Sequence, residues 1–96
     1  MDKKIYYNML YDYYKELLTE KQREYYESYN FQDYSLSEIS ENEGVSRNAV
    51  HNQLKIVLER LDFYEDKLCL LSNALKIREL ISNLDDDLKE KIEELI

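Results

Sequence analysis

A set of polar side chains near the middle of the chain could contact a nucleic acid. Its members are Arg47, Asn48, His51, Asn52 and Lys55. Their spacings of three and four residues would place them on one face of a helix. Side chains of these types bond base edges in the major groove of DNA or the phosphates beside it. Ser46 precedes them, where it would cap that helix. These six residues are therefore the candidate nucleic-acid-binding site.

The segment just before this face has the pattern of a helix-turn-helix. Ser35 and Glu38 form a capping box that would open a short helix. Gly44 follows that helix, where a tight turn needs a backbone that tolerates positive φ. Ser40 supplies the small residue required where the two helices cross. The expected local core consists of Leu36, Ile39 and Val50. The pattern predicts two short helices that hold the polar face outward.

The rest of the chain also favours helices. Proline is absent and glycine occurs once, so few residues would interrupt a helix. The spacing of apolar residues predicts a first helix over residues 5–17. Thr19 and Gln22 form a capping box that would begin a second helix, which is expected to end near Tyr29. Asp85–Asp87 would begin a last helix with Leu84, Leu88, Ile92 and Leu95 as its stripe. We predict an all-α bundle of about five helices with an acidic helical tail.

A seven-residue repeat follows the candidate site. Its two series are Leu54, Leu61, Leu68 and Leu75, and Val57, Tyr64 and Leu71. This alternation is typical of a helix–helix seam and predicts one long helix. Leu54 to Leu61 is expected to pack on the first helix of the same chain. Beyond Tyr64 the seam could be covered by the last helix, by a second copy of the chain, or by both. We predict a homodimer through Leu61–Leu75.

Other residues invite functional interpretations that the sequence does not favour. Nine of the ten tyrosines lie within residues 1–34 and could stack on bases, but their helical spacing favours a core and its rim. Cys69 is expected to be an inert core thiol. The single histidine lacks ligand partners at metal-binding spacing, and no catalytic motif or phosphate loop is present. The sequence therefore predicts neither an enzyme nor a cofactor or metal site.

Charge and hydropathy bear on the partners and the compartment. The net charge is −8, which opposes nucleic-acid binding. The charges are unevenly distributed: residues 35–61 carry four acids and three bases, whereas residues 62–96 carry ten acids and five bases. The acidity is thus concentrated after the candidate site. The N-terminal stretch lacks the apolar core of a signal peptide, and no apolar run is long enough to span a membrane. With one cysteine, the chain is expected in the cytoplasm, without membrane insertion.

Three stretches together resemble a known family. They are Leu18–Arg23, Leu36–Ser40 and Gly44–Val50. These motifs resemble the fourth conserved region of bacterial sigma factors and, more narrowly, the YlxM family of helix-turn-helix proteins, which share the tyrosine-rich first helix. The resemblance implies DNA binding. It also implies an accessory role in protein targeting, because family genes commonly lie beside the gene for the signal recognition particle GTPase.

Two hypotheses about function remain at this point. The first is a DNA-binding regulatory protein that uses the polar face, favoured by the motif. The second is an adaptor that binds the signal recognition particle GTPase or its RNA, favoured by the charge. In both, residues 1–96 form a single domain, with a helix-turn-helix core over 5–61 and a helical dimerisation or tail segment over 62–96.

Overall fold

The computed structural model describes all 96 residues and contains six α-helices and no β-strand. The helices are α1 (Lys3–Tyr14), α2 (Glu20–Asn30), α3 (Leu36–Glu43), α4 (Arg47–Leu68), α5 (Leu70–Leu80) and α6 (Asp86–Glu93), with a 3₁₀ turn, Lys15–Leu17, after α1. The predicted all-α fold is confirmed. The chain has one helix more than the expected five, because the predicted long helix is divided in two.

Both predicted capping boxes are formed. The hydroxyl of Thr19 accepts from the amide of Gln22 at 3.1 Å, and the Gln22 side chain accepts from the Thr19 amide at 2.9 Å. Ser35 and Glu38 make the same reciprocal pair, at 3.0 Å and 3.1 Å. Each box satisfies two backbone amides that have no partner within the helix. This local chemistry fixes where α2 and α3 begin.

The main core lies where α1, α2, α4 and α5 meet. Its buried side chains are Leu10, Tyr11, Tyr14, Leu18, Tyr26, Val57, Leu61 and Leu71. The buried tyrosines keep their hydroxyls bonded: Tyr11 donates to Glu27 and Tyr14 to Glu65, each at 2.6 Å. An aromatic ring with a bonded hydroxyl suits the edge of a core. These tyrosines belong to the core, as predicted.

A second, smaller cluster holds the helix-turn-helix together. Tyr25 of α2, Ile39 of α3 and Val50 of α4 are buried against one another, and Leu36 and Leu54 pack on them. The predicted local core of Leu36, Ile39 and Val50 is therefore confirmed. Because α2 contributes Tyr25, this cluster also fixes α3 and the start of α4 relative to α2.

The prediction of one long helix through the heptad repeat is wrong. Helix α4 ends at Leu68, and Cys69 takes a left-handed conformation at φ 56° before α5 begins. The carboxylate of Glu65 accepts from the amides of Leu71 and Ser72, at 3.1 Å and 2.9 Å. The Tyr14 hydroxyl accepts from the Leu70 amide at 3.0 Å. Side chains from outside α5 thus cap its first turn, which makes the break favourable.

This break also corrects two predictions about individual residues. Cys69 is exposed, not a core thiol, because it is the residue at which the backbone turns. Leu71 is 2 % exposed because α5 carries it into the main core, so it is not available to a second copy, and the predicted dimer seam over Leu61–Leu75 is wrong at this position. Leu61 is fully buried beside side chains of α1, as expected for the first part of the repeat.

The C-terminal helices leave much apolar surface open. Leu75 and Leu84 are each 39 % exposed, Leu88 is 45 % exposed, and Leu80 and Leu95 are more than 80 % exposed. The molecule is elongated, with extents of 53 × 25 × 23 Å. The main core therefore covers only part of this end of the chain.

Candidate nucleic-acid interface

The turn between α3 and α4 has the predicted backbone. Gly44 lies at φ 68° and ψ 32°, in the left-handed region, and its amide and that of Val45 both donate to the Ser40 carbonyl. Ser40 is buried, at 8 % exposure, and its hydroxyl donates to the Ser37 carbonyl at 2.8 Å. The turn thus satisfies the last carbonyls of α3, and a residue with φ above zero makes it possible.

Helix α4 begins with an open, uncharged cap. The Ser46 hydroxyl accepts from the Ala49 amide at 3.1 Å, as predicted. No acid lies in the first turn of α4, nor in that of α1 or α5, whereas α2, α3 and α6 each carry at least one there. The amino-terminal end of a helix carries partial positive charge. In α4 this charge is not neutralised by a neighbouring carboxylate of the same turn.

Five of the predicted site residues lie on the first three turns of α4, Ser46 precedes them as its cap, and all six are exposed. Ser46, Arg47, Asn48 and His51 line one open cavity of about 580 Å³ together with Leu36. Lys55 lines a neighbouring cavity, while Asn52 lines neither. The structure therefore brings four of the six together, with Lys55 beside them.

The bases of this face are not engaged elsewhere in the protein. The ion pairs of the chain join Lys21 to Glu24 and Glu43, Lys67 to Asp66 and Lys91 to Asp87. Arg47 and Lys55 take part in none of them. No acid lines the cavity beside Arg47, although the whole chain has 21 acids. This face is therefore a local exception to the acidic surface.

A cleft extends from this face to the amino-terminal end of α1. The cavity of about 580 Å³ beside Arg47, Asn48 and His51 is called the recognition cavity below. It shares Leu36 and His51 with a middle cavity of about 380 Å³. The middle cavity shares Tyr29 and Leu58 with a third, the tyrosine cavity, of about 570 Å³. The three cavities together form what we call the long cleft.

The tyrosine cavity was missed by the sequence analysis. Its lining includes Lys3, Lys4, Tyr7, Tyr29 and Tyr34. Tyr29 and Tyr34 are 44 % and 40 % exposed, so the prediction that the N-terminal tyrosines form the core and its rim does not describe them well. Their positions in the sequence could have indicated this exposure, because both tyrosines lie near the carboxyl end of α2 and outside the apolar stripe of α1.

No three His, Cys, Asp or Glu residues lie close enough together to hold a metal ion. None of the helices combines the length and the apolar character needed to cross a bilayer.

The fold and the turn define the class: an all-α helix-turn-helix protein with an exposed second helix. The comparisons agree, because the model of the family UPF0122, described as "Putative helix-turn-helix protein, YlxM / p13 like", matches residues 1–96. The chain belongs to this family.

Curated relatives match most of the chain. A UPF0122 protein of Halalkalibacterium halodurans is 43% identical over 86 residues, which span 90% of this chain and 79% of the relative. One of Oceanobacillus iheyensis is 46% identical over 84 residues, covering 88% and 80% of the two chains. One of Listeria welshimeri is 43% identical over 84 residues, covering 88% and 76%. The similarity thus extends well beyond the helix-turn-helix.

Proposed function

We propose that this protein is a DNA-binding regulatory protein that inserts the start of α4 into the major groove. The observation that carries the proposal is the recognition cavity, which is exposed and free of acids in a chain with a net charge of −8. A face with unpaired bases that is kept clear of carboxylates favours an anionic partner such as DNA.

The side chains of this face divide by chemistry. Asn48, His51 and Asn52 can exchange hydrogen bonds with base edges, and Arg47 can bond guanine or a phosphate. Lys55, one turn further along α4, is placed to contact the DNA backbone. Each phosphate contact releases counterions, so binding should weaken steeply as salt rises.

The test compares two double variants that remove the same charge. Arg47→Ala with Lys55→Ala changes the face, whereas Arg60→Ala with Lys76→Ala removes two exposed bases outside the long cleft. We expect the first pair to weaken binding to duplex DNA and the second to change it little. Equal losses in the two pairs would mean that net charge alone governs binding, and the proposed face would be wrong.

We further propose that two copies pair through the exposed leucines of α5 and α6. Leu61 and Leu71 are buried in the core, so the pairing surface is better placed on Leu75, Leu80 and Leu88. A two-fold dimer would present two recognition helices to DNA, the usual arrangement for this motif. The excess of acids in residues 62–96 opposes pairing, so added salt should tighten the dimer.

Sedimentation tests the pairing. Leu80→Glu with Leu88→Glu should give monomers, while Leu17→Glu, at a leucine that is 51 % exposed in the 3₁₀ turn, should leave the dimer intact. A wild-type protein that stays monomeric at high concentration would refute the dimer.

One observation favours a second candidate function. The ten acids of residues 62–96 suit a basic protein surface better than DNA. An adaptor that binds the signal recognition particle GTPase or its RNA would use this end of the chain or the α4 face. A pull-down with the purified GTPase and the particle RNA tests it. Capture that survives the Arg47 and Lys55 changes, combined with no binding to duplex DNA, would favour the adaptor.

A further inference from the structure

The charges lining the long cleft are opposite to those of the chain as a whole. The cleft is lined by Lys3, Lys4, Arg47 and Lys55, with Asp33 as its one acid. The whole chain carries 13 bases and 21 acids. Bases stand at both ends and in the middle of the cleft, so their attraction extends along its length. This distribution suits an anionic chain better than a single small anion.

Two aromatic rings at the far end of the cleft are free to stack. The hydroxyl of Tyr7 donates to Asp62 at 2.8 Å, and that of Tyr26 donates to Asn8 at 2.5 Å while its ring stacks on Tyr11. These two residues are therefore fixed by the protein itself. Tyr29 and Tyr34 form no such pair, and both remain substantially exposed in the cavity.

The backbone places these two rings in the same cavity. After α2 the chain turns back, with the Tyr34 amide donating to the Ser28 carbonyl at 3.0 Å. Asp33 takes a left-handed conformation at φ 56° to make that turn. Asp and Asn adopt this conformation more readily than most residues. Tyr34 thus lines the same cavity as Tyr29, although it lies beyond the end of α2.

We propose that the long cleft holds a single-stranded polynucleotide, whose unpaired bases stack on Tyr29 and Tyr34 while Lys3, Lys4 and Lys55 contact its phosphates. Basic grooves with exposed aromatic rings bind single strands because every base presents a stacking face. The Asp33 carboxylate and the side-chain amide oxygen of Asn30 can accept hydrogen bonds from base amino groups. The proposal extends the proposed function, since the recognition cavity forms one end of the cleft.

An affinity measurement separates this proposal from duplex binding. The probes are a blunt duplex, oligothymidylate and oligouridylate, each titrated against the wild-type chain. Tyr29→Ala with Tyr34→Ala should weaken binding of the single strands by about thirtyfold or more, because each of the two lost base stacks weakens binding by at least about fivefold. Blunt-duplex binding should be nearly unchanged. The two oligonucleotides show whether the cleft prefers DNA or RNA, which share the proposed chemistry.

Fluorescence provides a readout that a folding defect would not imitate. The chain has no tryptophan, so Tyr34→Trp introduces a single indole into the cavity. Phe63→Trp introduces one at a position on α4 that is 51 % exposed and outside the cleft. Stacking on a base should quench the indole at position 34 when oligothymidylate is added, and leave the indole at position 63 unchanged.

Other outcomes would count against this proposal or against the proposed function. Single strands that bind wild type and the double tyrosine variant equally would overturn it, as would equal quenching at both indole positions. Equal affinity for free thymidine monophosphate or for polyglutamate would show that the occupant is a small nucleotide or an acidic peptide. Wild type that binds the single strands but does not bind the blunt duplex would instead refute the major-groove function and leave the proposal for the cleft supported.

Discussion

A substitution series at Gly44 tests the turn on which the interface depends. A β-carbon added at Gly44 would meet no atom within 4 Å, so the effect of a side chain there is conformational and not steric crowding by neighbours. The residue has a φ of 68°. An L-residue in this region costs about 1–2 kcal/mol, and replacing glycine by alanine recovers about 0.4–1 kcal/mol from the unfolded chain. Gly44→Ala should therefore cost about 1 kcal/mol.

Two further substitutions set the order of the series. Gly44→Asn should cost less than Gly44→Ala because asparagine tolerates the left-handed region, and Gly44→Val should cost more because β-branching disfavours it. Urea denaturation measures the free energy of unfolding for each variant. A cost of 1 kcal/mol would lower the melting temperature by about 4–8 °C in a domain of this size. Valine that is tolerated as well as glycine, or asparagine that is worse than valine, would refute the predicted turn.

Three more predictions concern the break between α4 and α5. Glu65→Ala should destabilise the protein by about 1–3 kcal/mol, because the Glu65 carboxylate accepts hydrogen bonds from Tyr14, Leu71 and Ser72. Urea denaturation measures this cost, and an unchanged free energy of unfolding would mean that the cap is unimportant. Burial and the hydrogen bond to Glu65 raise the pKa of Tyr14 from 10.0 to about 12. Its contribution to stability should thus be complete below pH 10 and lost as the pH rises towards 12, and Tyr14→Phe should reduce that pH dependence. Cys69, being exposed, should react with a thiol reagent in the native protein nearly as fast as in the unfolded chain; strong protection would contradict the break.

The elements governed by local chemistry were predictable from the sequence. Thr19 and Ser35 indicate where α2 and α3 begin, because each has its capping partner three residues further along the chain. Gly44 indicates the turn, because glycine readily adopts a positive φ. These signals lie within a few residues of the structure they determine. The polar face of α4 could be recognised for the same reason, since helical spacing alone places its members together.

The break at Cys69 could not be predicted in this way. The leucine repeat continues across it without interruption, and Leu71 enters the core on a new helix. The cap of that helix comes partly from Tyr14, which lies more than fifty residues earlier in the chain and bonds the Leu70 amide. Local spacing carries no information about such a partner.

The long cleft was hidden from the sequence for a related reason. Lys3 and Lys4 at the start of α1, Tyr34 in the loop before α3 and Lys55 on α4 line it together. Only the packing of α1 and α2 against α4 brings these segments to one surface. The overall acidity of the sequence further obscures them, because a balance of charges does not report where each charge lies.

The central claim is most directly tested by the salt dependence of duplex binding. Wild type, the Arg47→Ala, Lys55→Ala pair and the Arg60→Ala, Lys76→Ala pair would be titrated against the same blunt duplex over a range of salt concentrations. If Arg47 and Lys55 each contact a phosphate, their loss should flatten the slope of log K against log salt concentration by about two units, since each contact contributes about 0.9. The control pair should keep the wild-type slope. Wild type that binds no duplex even at low salt, or that gives the same slope in all three proteins, would contradict the proposed interface.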